Sequence, residues 1–543
     1  MRSKIAALAC IVVLTLAPLA PRAAVAQWPV DGFVVSDHWA YWNDNVQLFP
    51  DGSGGVLCGW KFHGGGDTQL FASRVTSVGT LAAGWPANGL SLYSVHDGAT
   101  APDGAGGLMI AASRYAVPTN DEIYEWHVLS TGSFDWSGQA APAASELRSG
   151  RVIADGAGGS YVAWTKGIGQ LYLQHLQSNG VRFPGWPVAG LLVSGSSTFF
   201  VYDRVELASD GAGGVFVMWM SDYTRLQRVT ASGTLAPGWP SGGIALGISQ
   251  PYYYGVFKIV PSGADHLVVV WQDVPQSSSS HLILERVAFD GSLDAAWPAG
   301  GLVAADGAGA EVVADATSDG SDGVLLAWTV AGANARGQRY LADGSRASGW
   351  PASGALLRSG TIGSWAMTSS GSGGMVFAWG GHVQWFLADG TQDPSQPSGG
   401  QLVHPTYPAV TIRSLMPDGG GGVFVAWDKR DTLYGRNTLM LSRVTYPTPL
   451  AVSPRVARTP DLRLIGPNPS RGDFAMSCTI AAGAPARLEL LDLAGRRLRV
   501  VELDGGGTRT ARFDDVGSLR PGLYLIRLTQ AALSRTSRIA IVH

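Results

Sequence analysis

Cysteine is nearly absent. The chain has three in 543 residues, and once Cys10 is set aside with the leader below only Cys58 and Cys478 remain. That excludes a disulfide-dense scaffold, so packing must hold the body together. Charge is also sparse, at 15% of residues, and the net charge is -3. A chain so close to neutral has no overall attraction for nucleic acid, and basic residues interleaved with aromatics are missing. Lysine is confined to Lys4, Lys61, Lys166, Lys258 and Lys429. Beyond the first twenty residues no apolar run reaches the roughly 18 residues of a membrane-spanning helix. Catalytic signatures are missing too. There is no His-Glu-x-x-His, and no nucleophile elbow in a strand–turn–helix setting. The glycine-rich steps lack the Lys-Ser/Thr of a phosphate loop.

What is abundant is glycine, 73 residues, and tryptophan, 19. Glycine follows no triplet period, which excludes collagen. Many glycines, many tryptophans and few charges suggest short strands joined by tight turns. At the start, Arg2 and Lys4 precede an apolar stretch from Ile5 to Leu19, and Ala24-Val25-Ala26 offers small residues at a cleavage position. Residues 1–26 read as a secretory signal.

The dominant feature is an internal repeat. Its first element is Asp-Gly-x-Gly-Gly followed by an apolar run that often ends in tryptophan. It starts at Asp51, Asp103, Asp155, Asp210, Asp319 and Asp418, with variant copies at Ser262 and Ser370, and recurs about every 52 residues. The second element alternates polar and apolar residues and ends in Gly-Trp-Pro, as in LQRVTASGTLAPGWPSGG from Leu226. Five-residue apolar runs are too short for helices, and the alternation has the period of a strand. The spacing allows a four-stranded sheet per unit. The fold class predicted is all-β: a closed β-propeller of about eight four-stranded blades over residues 27–446. A seven-bladed ring, a sandwich or a solenoid remain as alternatives. Tryptophans are expected to fill the space between blades.

The ends of the repeat favour closure. The mature chain opens with Trp28-Pro29-Val30-Asp31-Gly32, the close of a unit, and the last unit stops after LMLSRVT where its own Trp-Pro is due. The first and last pieces would then complete one sheet.

After a proline-rich linker, 447–460, the pattern changes. Residues 461–543 carry a net +4, against -10 for 27–460. Seven short alternating runs over this stretch predict a small immunoglobulin-like β-sandwich. The motif order is GPNPSRGDF from Gly466, LELLDLAGRRLRV from Leu488, FDDVGSLRPGLYLIRL from Phe513 and a final SRIAIV. This resembles the type A C-terminal sorting domain of the bacterial type IX secretion system, and is similar to the immunoglobulin-like domain of flagellar hook-capping proteins. The positions carrying the pattern are Asn468-Pro469, Asp492 with Gly495 and Arg496, and Gly522 with Tyr524. The resemblance implies engagement by the secretion machinery, and export to the medium or the outer surface of a Gram-negative-type cell. Arg471-Gly472-Asp473 is part of the same motif, so it does not point to host adhesion.

Candidate chemistry is thin. The repeated aspartates read as turn formers; calcium is the alternative, although each copy supplies one acid where a hard cation takes about six or more oxygens. No other metal or cofactor is expected. His63 and Asp67 flank a glycine turn. Aromatic segments between a Trp-Pro and the next Asp-Gly turn are candidate ligand positions: His38, Trp39, Tyr41 and Trp42; Tyr202; and Tyr252, Tyr253 and Tyr254. The segment Pro118 to Trp126 reads as a further loop. If the aromatic segments share a face, they would bind a glycan or a protein; packing between blades is the competing reading. The function expected is a secreted or cell-surface non-catalytic binding or scaffold protein. A polymer-degrading hydrolase or lyase with its site at the propeller mouth is the alternative, and a structural envelope component a third.

Overall fold

The computed structural model describes residues 28–542, apart from 41, 64–67, 96, 118–119, 145, 168, 195–203, 248–255, 274–279, 308–311, 331–332, 408–409, 431–435, 447–460, 466–467, 469, 481–484, 493–495, 504–506, 515 and 531–532. Two compact units divide the chain, 1–447 and 448–543.

The first unit contains eight four-stranded antiparallel sheets. We call them blades 1 to 8: 42–94, 97–144, 147–192, 205–246, 257–307, 312–361, 365–402, and 410–444 joined by the N-terminal strand Phe33–Ala40. In each of the first seven, four consecutive strands lie in chain order. The eighth is completed from the other end of the sequence. Phe33 pairs with Leu441, Val34 with Met440 and Ser36 with Leu439. The first strand of every blade packs against the first strand of the next, and that of blade 8 packs against that of blade 1. The sheets therefore form a closed ring, with their first strands around the axis. The fourth strands shrink to two residues in Leu191–Leu192 and Gln401–Leu402, which leaves little backbone edge open to another chain.

The core lies between blades. One cluster joins Phe216 and Met218 of blade 4 to Phe257 and Val269 of blade 5 around Trp239. Another joins Val56 and Trp60 of blade 1 to Phe424 and Leu441 of blade 8 around Trp28. The tryptophans do fill the space between blades. Burying each such ring removes about 150–250 Å² from water, which suits a body without disulfides; Cys58 and Cys478 are buried, and neither is in a disulfide.

The second unit is a sandwich of two sheets. One holds Asp461–Ile465, Phe474–Ile480 and Gly507–Phe513; the other holds Arg497–Leu503, Ala486–Leu491, Gly522–Gln530 and Leu533–Ile541. All seven alternating runs of the sequence are strands. Their apolar faces meet in one core that includes Met476, Leu488, Leu490, Phe513, Ile526 and Ile539.

Candidate functional site

Strand order gives the ring two unlike ends. At one end lie the Asp-Gly turns, between the first and second strands, and the long connections containing Trp-Pro. At the other lie the hairpins between second and third strands and the passages from one blade to the next.

The Asp-turn end is occupied by structural contacts. Asp51 Oδ1 accepts the amides of Ser53 and Gly55 at 2.8 and 2.7 Å. The same pair of bonds recurs at Asp103, Asp155, Asp210, Asp319 and Asp418. Gly55 fits because any Cβ there would sit 2.4 Å from the Val75 carbonyl oxygen. The second oxygen, Oδ2, faces a basic side chain of the third strand: Arg74 at 3.0 Å from Asp51, His127 at 3.0 Å from Asp103, His175 at 2.9 Å from Asp155, Arg228 at 2.9 Å from Asp210, Arg339 at 2.7 Å from Asp319 and Arg443 at 2.8 Å from Asp418. Each carboxylate thus holds two amides and a base, and little of it is left for calcium. Among the described residues no group of three His, Cys, Asp or Glu is placed to hold a metal ion. Burial works against ionisation of Asp103, but His127 and the two amides outweigh it and lower its pKa.

The same bases reach across the seams. Ser130 O, in blade 2, accepts Arg74 Nη1 at 2.8 Å and the Trp85 indole at 3.0 Å, both from blade 1. Phe289 O accepts Arg228 and Trp239 at 3.0 and 3.1 Å. Ser77 O accepts Arg443 at 3.4 Å and Trp28 at 2.9 Å, so the closing seam is built like the others. Trp186, Trp297 and Trp350 make the equivalent indole bond to Ala231, Ala342 and Ala388. The basic position recurs in the sequence before the last apolar residue of the third strand, in SRV, LQRV and LSRV. Sequence reasoning missed its role because the acid and base lie about 20 residues apart. The variant blades fit the pattern. Where Ser370 replaces the aspartate, Trp385 replaces the base, and its indole binds Gly421 O at 3.3 Å. Where Ser262 replaces it, Arg286 hydrogen-bonds the serine at 3.0 Å and turns to Asp294.

Around the axis, one layer is defined by equal register. Gln47, Ala99, Arg151, Glu206, Lys258, Asp315, Ala366 and Ser414 each pair with the residue before the end of the second-strand apolar run. Blades 3 to 6 are charged there with alternating sign; the other four carry small or neutral side chains. Arg151 pairs with Glu206 at 3.3 Å, and Lys258 with Asp315. Burial alone would lower the Lys258 pKa, but Asp315, aided by Glu206, raises it.

At the opposite end the candidate aromatics divide. The His38 side chain is exposed, its ring 5.3 Å from Phe71 and 5.8 Å from Phe62, with Phe71 stacked on Trp60 at 5.5 Å. Trp39 lies in the closing strand and Trp42 opens blade 1. Tyr41, Tyr202, Tyr252, Tyr253 and Tyr254 lie outside the described residues, as does Asp67. The strands flanking them, ending at Leu192 and Leu246 and restarting at Val205 and Phe257, meet this end of the ring. The expected loop is strand from Asn120 on: Asn120–Val128 is the third strand of blade 2. Its pattern was hidden because Asp121, Glu122 and Glu125 interrupt the apolar alternation. Glu122 is held by Arg114 and by Gln139 at 2.7 Å, and Arg114 lies 3.8 Å over the Tyr124 ring. Glu125 is fully buried against Ser160 Oγ at 2.7 Å. Between blades 1 and 8, Asn43 and Arg413 hold the buried Asp428 at 2.9 and 2.6 Å.

In the C-terminal unit the motif residues make local ties. Asn468 Oδ1 accepts the Ala540 amide at 2.8 Å. Asp492 closes its hairpin through the Arg496 amide at 2.8 Å and the guanidinium at 3.0 Å. Gly522 starts a strand, and the Tyr524 hydroxyl donates to Arg520 O at 2.6 Å. Asp473 Oδ1 accepts the Val516 amide at 3.3 Å. Pro469 and Gly495 lie outside the described residues.

No curated protein matches the chain. Among solved structures it is similar to the BP39L lectin from Burkholderia pseudomallei, at 14% identity and TM-score 0.39, over 64% of this chain and 95% of that one. It is also similar to prolyl oligopeptidase B from Galerina marginata, at 9% and 0.36, over 64% and 47%. The matched region thus spans about half of that enzyme's length. A subtype N11 neuraminidase-like protein of A/flat-faced bat/Peru/033/2010 matches at 9% and 0.31, over 58% and 94%. Residues 465–542 match the secretion system C-terminal sorting domain. By its strand order and closing contacts the first unit is a β-propeller, and the second unit is matched by the sorting domain of type IX secretion.

Proposed function

We propose that the protein is a non-catalytic binding or scaffold protein, secreted or displayed on the outer surface of a Gram-negative-type cell. Residues 1–26 are its signal peptide, and 461–543 bring it to the secretion machinery. Its ligand is a glycan or a protein, met by the end of the ring that carries His38, Trp39, Tyr41, Trp42, Tyr202 and Tyr252 to Tyr254.

The observation that carries this reading is the unequal use of the two ends. The repeated acids, bases and indoles of the Asp-turn end are consumed in turns and seams, whereas the connections at the other end vary from blade to blade. Catalysis at the mouth is less well supported. General acid–base work needs an acid or base free to exchange a proton within reach of substrate, and in the charged axial layer Glu206 and Asp315 each hold a cation.

The test applies the purified chain from residue 27 to arrays of bacterial and host glycans and of envelope proteins, with chromatography of the incubated ligands. The reading expects saturable binding with every ligand recovered intact. Cleaved or eliminated products would replace it with the hydrolase or lyase.

A further inference from the structure

One polar position repeats inside the blades without belonging to the Asp clamp. Gln174 pairs across its sheet with Val162, Gln227 with Val217 and Glu285 with Val269, so all three occupy the same place in successive blades. In blades 3 and 4 the amide donates to the carbonyl of the Trp-Pro proline: Gln174 Nε2 to Pro187 O at 2.9 Å, and Gln227 Nε2 to Pro240 O at 2.7 Å. Each proline carbonyl also accepts a glycine amide three residues on, from Gly190 and Gly243 at 3.1 Å. Both of its lone pairs are thereby used.

Blade 5 keeps half of this. Gly301 N donates to Pro298 O at 3.0 Å. Glu285 stands where those glutamines stand and is 1% exposed. Its carboxyl lies against the end of the turn, with Oε2 3.2 Å from where a Gly301 Cβ would stand, and Oε2 has no hydrogen-bond partner. An ionised carboxylate only accepts, so against a carbonyl it is a buried charge facing another acceptor. A neutral carboxylic acid donates, as the glutamines do.

We propose that Glu285 is a proton-dependent latch: as a neutral acid it closes the Trp297-Pro298 turn on the Pro298 carbonyl, and its ionisation loosens that turn and with it the indole bond from Trp297 to blade 6. Burial alone pushes its pKa up to about 7, and no charged neighbour contributes. The ionisable groups on the elements around it are engaged elsewhere. Arg286 binds Ser262 and Asp294, His266 binds Asp265 at 2.6 Å, and Asp315 on the facing strand of blade 6 binds Lys258. Asp290, on the crossing loop, accepts the Ser292 amide and hydroxyl. The equivalent seams behind Trp186 and Trp239 are built with glutamine and carry no such proton.

Amide hydrogen exchange of the full chain, corrected for the intrinsic rate at each pH, tests this. Segment 289–301 should exchange about tenfold faster at pH 8.5 than at pH 5.5 in the wild type, while 178–190 and 231–243 stay level. Glu285→Gln, which installs the residue of the neighbouring blades, should make 289–301 level as well. A wild-type segment that shows no selective rise, or a rise that Glu285→Gln leaves in place, would overturn the latch.

Discussion

Asp210 Oδ2 receives two hydrogen bonds from the Arg228 guanidinium, at 3.0 and 2.9 Å, while its Oδ1 holds the turn amides of Ala212 and Gly214. One carboxylate therefore couples a turn of blade 4 to an arginine that also reaches Phe289 O of blade 5. The two functions separate by substitution. Asp210→Asn keeps an acceptor for the turn and loses the charge, so it should destabilise less than Asp210→Ala. A double-mutant cycle of Asp210→Asn with Arg228→Met, read by denaturant unfolding, should give a coupling energy of about 1–3 kcal/mol. Additive single effects would show that the pair is incidental.

Trp28 stands 49 residues before Ser77, whose carbonyl its indole binds, and its ring lies 5.3 Å from Phe424. Trp28→Ala should lower stability by about 3–5 kcal/mol, the usual range for a large buried aromatic. Trp28→Phe should recover most of the packing but not the indole bond. A loss below about 0.5 kcal/mol, the scale of an ordinary surface change, would mean that the N-terminal piece is not part of the seam.

The clamp of blade 2 uses histidine where most blades use arginine. Burial lowers the His127 pKa, but Asp103 and Asp135 outweigh this and raise it. A base whose pKa is raised by folding stabilises fully below its unfolded value near 6.5. That contribution is lost as pH rises through the folded value. Unfolding midpoints should therefore fall as pH rises above about 6.5, and His127→Arg should flatten this part of the profile. Asp103 acts at the other extreme: its lowered pKa stabilises above about 3.8 and is lost as pH falls through the folded value.

Glu125 is wholly buried, and burial pushes its pKa up to about 8, with Asp155 adding to the rise and Ser160 opposing it. A raised acid stabilises least when ionised: its contribution is intact below about 4.5 and is lost as pH rises to the folded value. Glu125→Gln should leave the midpoint at pH 5 nearly unchanged. At pH 9 it should raise stability by roughly 3–5 kcal/mol at most. Equal effects at both pH values would place Glu125 in contact with water.

Much of the fold was legible because the repeat writes its own period. Asp-Gly turns and five-residue apolar runs mark first and second strands, and Trp28-Pro29 announced a sheet completed from the far end. The fourth strands were less visible, since two residues such as Leu191–Leu192 carry no alternation. Blade 2 was obscured because it lacks Trp-Pro and seats Trp136 against Gly180 instead. The base of each clamp was visible as a recurring Arg or His, but only the sheet brings Arg228 back to Asp210. The axial layer of Arg151, Glu206, Lys258 and Asp315 depends on register between blades that share no sequence signal. The proposed ligand residues were found only as aromatic density, which does not distinguish a packed ring from an offered one.

Completion of the eighth blade depends on Phe33–Ala40 pairing with Asn437–Val444. Hydrogen exchange of residues 437–444, compared between the chain starting at 27 and one starting at 42, tests it directly. The amides of 437–444 should be protected in the longer chain and exchange freely along the exposed edge in the shorter one. Equal protection in both would mean that the last sheet is complete without the N-terminal strand.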